Sequence, residues 1–137
     1  MSQNLEKEFA SHWWAIKLPA DWQASESDEC VTLSGRRFSS AVQITAARKE
    51  AELITDEDLK EFADERLNEK TSRSKINITM FTGLYAEHVT NGIFWREWWL
   101  RSGHLMVYVT YNIEEEFREA ESFLIDEVVG SLSPNEN

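Results

Sequence analysis

A chain of 137 residues, 42% hydrophobic and 28% charged, has the make-up of one soluble globular domain, with an ordered core over about residues 12–132. Its 25 acidic and 14 basic side chains leave a net charge of −11, which argues against nucleic-acid binding, since that needs clustered Lys and Arg. No apolar run of about 18 residues exists to cross a membrane, and a single cysteine, Cys30, cannot form an internal disulfide.

From the start, residues 1–11 read as a lead-in. They lack a basic segment followed by an apolar stretch, so no secretory signal is visible and the cytoplasm is the expected compartment. Residues 12–18 alternate as a strand with Trp14, Ile16 and Leu18 on one side. Pro19 cannot donate to a ladder and ends it, and Trp22 packs back as a plug. Residues 25–29 form a polar acidic loop and residues 30–33 a short strand. Gly35-Arg36-Arg37 is a turn, and residues 39–47 make the next strand, with Val42, Ile44 and Ala46 alternating against Gln43 and Thr45.

Thr55 opens a helix that fades near Lys70. It is a good N-cap, and Asp56, Glu57 and Asp58 set negative charge at the positive end of the helix dipole. Leu59, Phe62, Ala63 and Leu67 recur at helical spacing, so one face docks on the sheet. A polar connection follows, and then a strand over residues 76–80.

The chain is organised around residues 93–113, IFWREWWLRSGHLMVYVTYNI, which hold three of the six tryptophans. Asn91-Gly92 and Ser102-Gly103 supply the positive φ that two-residue hairpin loops require. The first loop pairs Val89 with Phe94, Glu87 with Arg96 and Tyr85 with Trp98. The second pairs Arg101 with His104, Leu100 with Leu105, Trp98 with Val107, Arg96 with Val109 and Phe94 with Tyr111. Opposed residues share a face. One face therefore carries Tyr85, Val89, Phe94, Trp98, Leu100, Leu105, Val107, Val109 and Tyr111, and is core. The other carries Leu84, Ala86, His88, Trp95, Glu97, Trp99, Met106 and Tyr108. It is a thinner core under a covering layer or an exposed aromatic surface.

A second helix begins at about Glu114. Phe117, Ala120, Glu121, Leu124, Val128 and Leu132 form its inner stripe, with Glu121 the one polar member. Gly130 or Pro134 ends it. The expected fold is α+β: a largely antiparallel sheet of about six strands with helices packed on it.

A strand followed by Pro19-Ala20-Asp21-Trp22, a central helix over residues 55–70, an aromatic meander and a closing helix ending in Ser131-Leu132 together resemble the PsbP-like fold group. That group includes PsbP, a Ran-binding nuclear import factor and bacterial DcrB-like proteins, some of which chaperone secreted toxins. The resemblance spans about residues 13–132. It implies a helix/sheet/helix sandwich and a non-catalytic binding role, and it carries over no functional residue, because the group shares no site. The absence of a visible signal peptide departs from its lumenal and lipoprotein members.

The chain has no GxSxG elbow, phosphate-binding GxxxxGK[ST] loop, HExxH pair or CxxC. His12, His88 and His104 are far apart, and the pairing places His88 and His104 toward opposite ends of one face, which is poor geometry for a metal. Asp28 and Glu29 beside Cys30 oppose a reactive thiolate. Glu87 lies in an apolar setting opposite Arg96, so the two read as a structural ion pair in which the carboxylate stays charged, the opposite of a general acid. Trp95, Glu97, Trp99 and Tyr108 offer a platform for a ligand or partner, although aromatic rings also fill the cores of small domains. Glu115 and Glu119 concentrate charge at the second helix start.

These readings lead to a non-enzymatic, cytoplasmic domain without a cofactor. Its expected role is protein binding, as an accessory, adaptor or immunity-type protein whose acidic surface meets a basic partner. The alternatives are a small-ligand domain using the Trp95/Trp99 face and an enzyme with a carboxylate or histidine centre.

Overall fold

The computed structural model describes residues 5–28, 30–68 and 70–135. Two antiparallel sheets account for ten strands. The smaller has the order β1-β2-β10, from Lys7–Ala10, Trp14–Leu18 and Ser133–Pro134. The larger has the order β3-β4-β5-β9-β8-β7-β6, from Gln23–Ser27, Cys30–Ser34, Ala41–Arg48, Leu105–Glu114, Ile93–Ser102, Phe81–Thr90 and Ser74–Ile78. The tryptophan-rich stretch thus supplies the fourth and fifth of seven strands, where both faces can be covered.

The lead-in contains a strand. β1 pairs with β2 from Lys7 opposite Leu18 to Ala10 opposite Ala15, so residues 7–10 are ladder and not fray, while residues 1–4 lie outside those described. The acidic loop is also largely a strand. β3 is exposed along its whole length and hydrogen-bonds along β4 as a sheet edge, held by its backbone and not by burial. Trp22 does plug the core, lying beneath Gly35, where an added Cβ would fall 2.5 Å from the indole nitrogen.

β7 and β8 meet in the predicted register, with Glu87 opposite Arg96 and Val89 opposite Phe94. Asn91 and Gly92 have φ of 54° and 78°, the left-handed pair a tight hairpin requires. The second hairpin differs from expectation. Its loop is Gly103-His104, so Ser102 pairs with Leu105 and Trp98 with Val109. Gly103 takes the positive φ, 61°, at the first loop position, as a type II′ turn demands. Each partner moves by two residues, which leaves every side chain on the face assigned to it. Gly83 lies against β8 so closely that a Cβ would collide with the Trp99 carbonyl oxygen.

The helices cover opposite faces of the larger sheet. α1, Asp56–Arg66, begins with a capping box in which the Thr55 hydroxyl accepts from the Asp58 N–H and the Asp58 carboxylate from the Thr55 N–H. It buries Leu59 and Ala63 over β7 and β8 and stops at Leu67, short of Lys70. α2, Ser122–Gly130, starts eight residues later than its periodicity suggests. β9 holds the chain extended through Glu114, opposite Ile93, and a 3-10 turn, Glu115–Phe117, follows. Ile125, Val128, Val129 and Leu132 then pack with Trp14, Ile16 and Leu18 over the Trp98 face, while Phe117 and Ala120 stay outside. The core is therefore layered on both sides of the large sheet, in a helix/sheet/helix arrangement.

Candidate functional site

Trp95, Glu97 and Trp99 of β8 share one sheet face with Tyr108 of β9, as alternation requires. α1 closes that face. Trp99 is 0% exposed in a cluster with Ile54, Leu59, Ala63, Leu67 and Ala86. Tyr108 lies between the Trp99 ring at 5.5 Å and the Phe62 ring at 4.8 Å. Trp95 sits half-buried outside this cluster, stacked on His88 with ring centroids 6.2 Å apart and planes within 10°. The four residues do not form an open platform.

Beneath α1, Glu97 and Tyr108 join His88 and Arg66 in a polar network. Glu97 is 1% exposed. Its Oε2 lies 2.6 Å from His88 Nε2, so that nitrogen carries the proton, since a carboxylate only accepts. Its Oε1 accepts from the Tyr108 hydroxyl and lies 3.6 Å from Arg66 Nε, which itself donates to the Tyr108 oxygen at 2.8 Å. Burial, and then the hydrogen bond to Glu97, push the Tyr108 phenol above its ordinary value. A carboxylate-held imidazole is the geometry of a hydrolase base. Here the second nitrogen, Nδ1, is 3.1 Å from Thr90 Oγ1 on the same strand, and none of the five cavities described below is lined by His88 or Glu97. The meander register itself brings His88 beside Glu97, because Ala86 opposes Glu97 and His88 opposes Trp95. Nothing in the sequence marks Arg66 as the third partner.

Glu87 and Arg96 are cross-strand neighbours, yet their expected ion pair is indirect. Arg96, 9% exposed, bridges Asp126 of α2 at 2.5 Å and donates through Nε to the Tyr85 hydroxyl at 2.6 Å. That hydroxyl donates onward to Glu87 at 2.6 Å. Glu87 is exposed, not set in apolar surroundings, because it lies toward the open end of β7. The guanidinium also lies 4.8 Å from the Trp98 ring centroid and 5.3 Å from that of Tyr85. Asp126 and Tyr85 hold the Arg96 charge against the cost of its burial.

A third buried carboxylate, Glu121, accepts at Oε1 from the Ser40 hydroxyl at 2.7 Å and the Tyr111 hydroxyl at 2.8 Å. It was legible as the one polar residue of an apolar stripe. Just before it the chain is open. Glu114, Glu115, Glu116 and Glu119 are exposed, Phe117 among them is 42% exposed, and Phe123, the second residue of α2, is 66% exposed. Phe38 braces Phe117, with ring centroids 5.7 Å apart, and the Arg118 guanidinium lies 4.1 Å from the Phe94 ring centroid. The charge expected at a helix start thus lies on a connection that, together with the first turn of α2, presents two apolar rings.

No helix among the described residues is long and apolar enough to cross a membrane. No family model and no curated protein matches the chain. Solved structures do. One is a crystal structure of a protein from Bacteroides thetaiotaomicron VPI-5482, with a TM-score of 0.72 and 17% identity. The match covers 98% of this chain and 50% of that one, so this chain spans about half that protein's length. Another is the solution structure of cyanobacterial PsbP (CyanoP) from Synechocystis sp. PCC 6803, with a TM-score of 0.50 and 11% identity, covering 94% of this chain and 92% of that one. At these identities the likeness is one of fold, and the fold is PsbP-like.

Proposed function

We propose that this is a non-enzymatic, cytoplasmic protein-binding domain whose acidic surface meets a basic partner through the connection between β9 and α2. One observation carries the reading: Phe117 stands exposed among Glu114, Glu115, Glu116 and Glu119, and Phe123 stands exposed at the start of the helix that follows. Two large apolar rings left in water within one short segment, rimmed by charge, have the make-up of an interface anchor. The surrounding carboxylates speed encounter with a cationic surface and disfavour an acidic one. The buried networks around Glu97, Arg96 and Glu121 fasten the helices to the sheet, so this reading gives them a structural part.

Affinity capture from the native cell extract tests it when the column carries either the wild-type chain or the Glu115→Lys/Glu119→Lys variant. A basic protein retained on the first, absent from the second, and released at about 0.5 M salt, where screening acts over only about 4 Å, is the expected result. Retention unaffected by either change overturns the proposal.

A further inference from the structure

We infer that the cleft between the β1–β2 hairpin and the β8–β9 turn is a binding site for a small planar organic carboxylate. The cleft has a volume of about 410 Å³, within the range of small-molecule sites. Three segments from distant parts of the chain build it. The loop after β5 wraps the Gly103-His104 turn, with the Lys49 N–H donating to the His104 carbonyl at 3.0 Å and the Ile54 N–H to the Gly103 carbonyl at 2.9 Å. Arg48, the last residue of β5, is thereby placed at the wall. The N-terminal segment contributes Trp13. The chain near its C-terminus clamps that segment, since the Asn135 N–H donates to the Trp13 carbonyl at 2.7 Å and its side-chain amide to the Ser11 carbonyl at 3.1 Å. His104 is oriented by the Glu52 carbonyl 2.6 Å from Nδ1, which must carry the proton there.

Charge makes this cleft unlike its neighbours. In a chain of net charge −11, none of the described residues lining it is acidic, and Arg48 makes no salt bridge among the described residues. Each of the four other cavities carries at least one carboxylate: Glu26 and Asp28 in one, Asp21 and Glu121 in the next, Asp126 in a third, and Asp56, Glu57 and Asp64 in the last. A lone guanidinium presents a planar fork that matches one carboxylate in two hydrogen bonds. The partly exposed Trp13 indole lines the same cleft and supplies aromatic surface for a ring to pack on. A phosphate, with more charge and one guanidinium to meet it, faces the repulsion of the whole acidic surface with less compensation. The cavity that holds Glu26 and Asp28 adjoins across Trp13 and Arg48, which directs the anionic end of a ligand to the side where no described lining residue is acidic.

Indole-3-acetate, with the neutral isostere indole-3-acetamide beside it, is a suitable probe pair for NMR titration of the full chain. The expected result is saturable shifts of the Trp13 and His104 signals by the acetate at millimolar concentration, with the amide weaker by about tenfold, as for the loss of one charge-assisted pair. Arg48→Gln, an exposed change at a strand end, should bring the acetate to the level of the amide and leave the amide unchanged. Equal binding of the two probes, shifts elsewhere on the chain, insensitivity to Arg48→Gln, or no shift at about 10 mM probe, well above useful site affinities, each overturns the inference.

Discussion

His88 and Glu97 are joined by a 2.6 Å hydrogen bond beside α1, with the carboxylate almost wholly out of water. Such a carboxylate persists only because His88, Tyr108 and Arg66 all offer it hydrogen bonds or charge. The partners come from β7, β9 and α1, so the network ties the covering helix to the sheet.

Replacing Glu97 should therefore be far costlier than replacing its most exposed partner. Glu97→Ala is expected to lose about 3 kcal/mol or more in urea unfolding, because it leaves buried donors without an acceptor. Arg66 is about half exposed, and Arg66→Ala should cost no more than about 1 kcal/mol. The reverse order would show that the network is not buried in solution.

A second contrast concerns the opposed pair on the other face. Arg96→Ala removes a buried guanidinium from Asp126, Tyr85 and Trp98 and should cost about 3 kcal/mol. Glu87→Ala should stay within about 0.5 kcal/mol, since that side chain is exposed. Matched losses in the two variants would restore a direct Glu87–Arg96 pair.

All three tyrosines of the chain donate to glutamates: Tyr85 to Glu87, Tyr108 to Glu97 and Tyr111 to Glu121. Burial first, and then the adjacent carboxylate, raise each phenol above its ordinary value. A raised folded value means that the native chain holds these protons more tightly than the unfolded chain. Their contribution to stability is full below about pH 10 and is lost as pH rises above it, by up to about 1.4 kcal/mol per pH unit for each phenol. Ultraviolet titration should show no phenolate near pH 10 in the folded chain, and then a cooperative rise together with unfolding. A smooth one-phenol step near pH 10 would contradict the burial of that residue.

Tryptophan emission should be only weakly open to iodide. Trp14, Trp22, Trp98 and Trp99 are buried, while Trp13 and Trp95 are partly open. Trp13→Phe/Trp95→Phe should abolish most of the quenchable fraction. Strong quenching that survives the double change would mean that α1 does not stay closed over Trp99.

The face assignments were readable because period two and a positive-φ loop fix which side chains point together. The Ser102-Gly103 loop slipped by one position, and only distances along the strands changed, because a two-residue shift of partners preserves the face. β1 and β3 were not readable. Their sequences, KEFA and QASES, carry no clean apolar alternation, and they hold to their sheets through backbone hydrogen bonds. α2 was misplaced at its start because Phe117, Ala120, Glu121 and Leu124 happen to keep helical spacing while β9 retains the chain through Glu114. Of the candidate site, the Glu97–His88 adjacency followed from register. The relay from Arg96 through Tyr85 and the part played by Arg66 depend on side-chain direction and on where α1 ends, which pattern does not encode.

The most direct test of the proposed binding surface is the anisotropy of a labelled lysine–leucine amphipathic peptide titrated with the wild-type chain and three variants. Glu115→Lys/Glu119→Lys reverses charge within the connection, and Phe117→Ser/Phe123→Ser removes its rings while keeping its charge. Glu61→Lys/Glu65→Lys makes the same charge change on the exposed side of α1. A loss of affinity of about tenfold or more is expected for each of the first two, as when interface anchors or their steering charges go, and a loss of less than about threefold for the third. Equal losses in the two charge variants, with no loss on removing Phe117 and Phe123, would mean that the peptide sees only net charge and that the connection is not the interface.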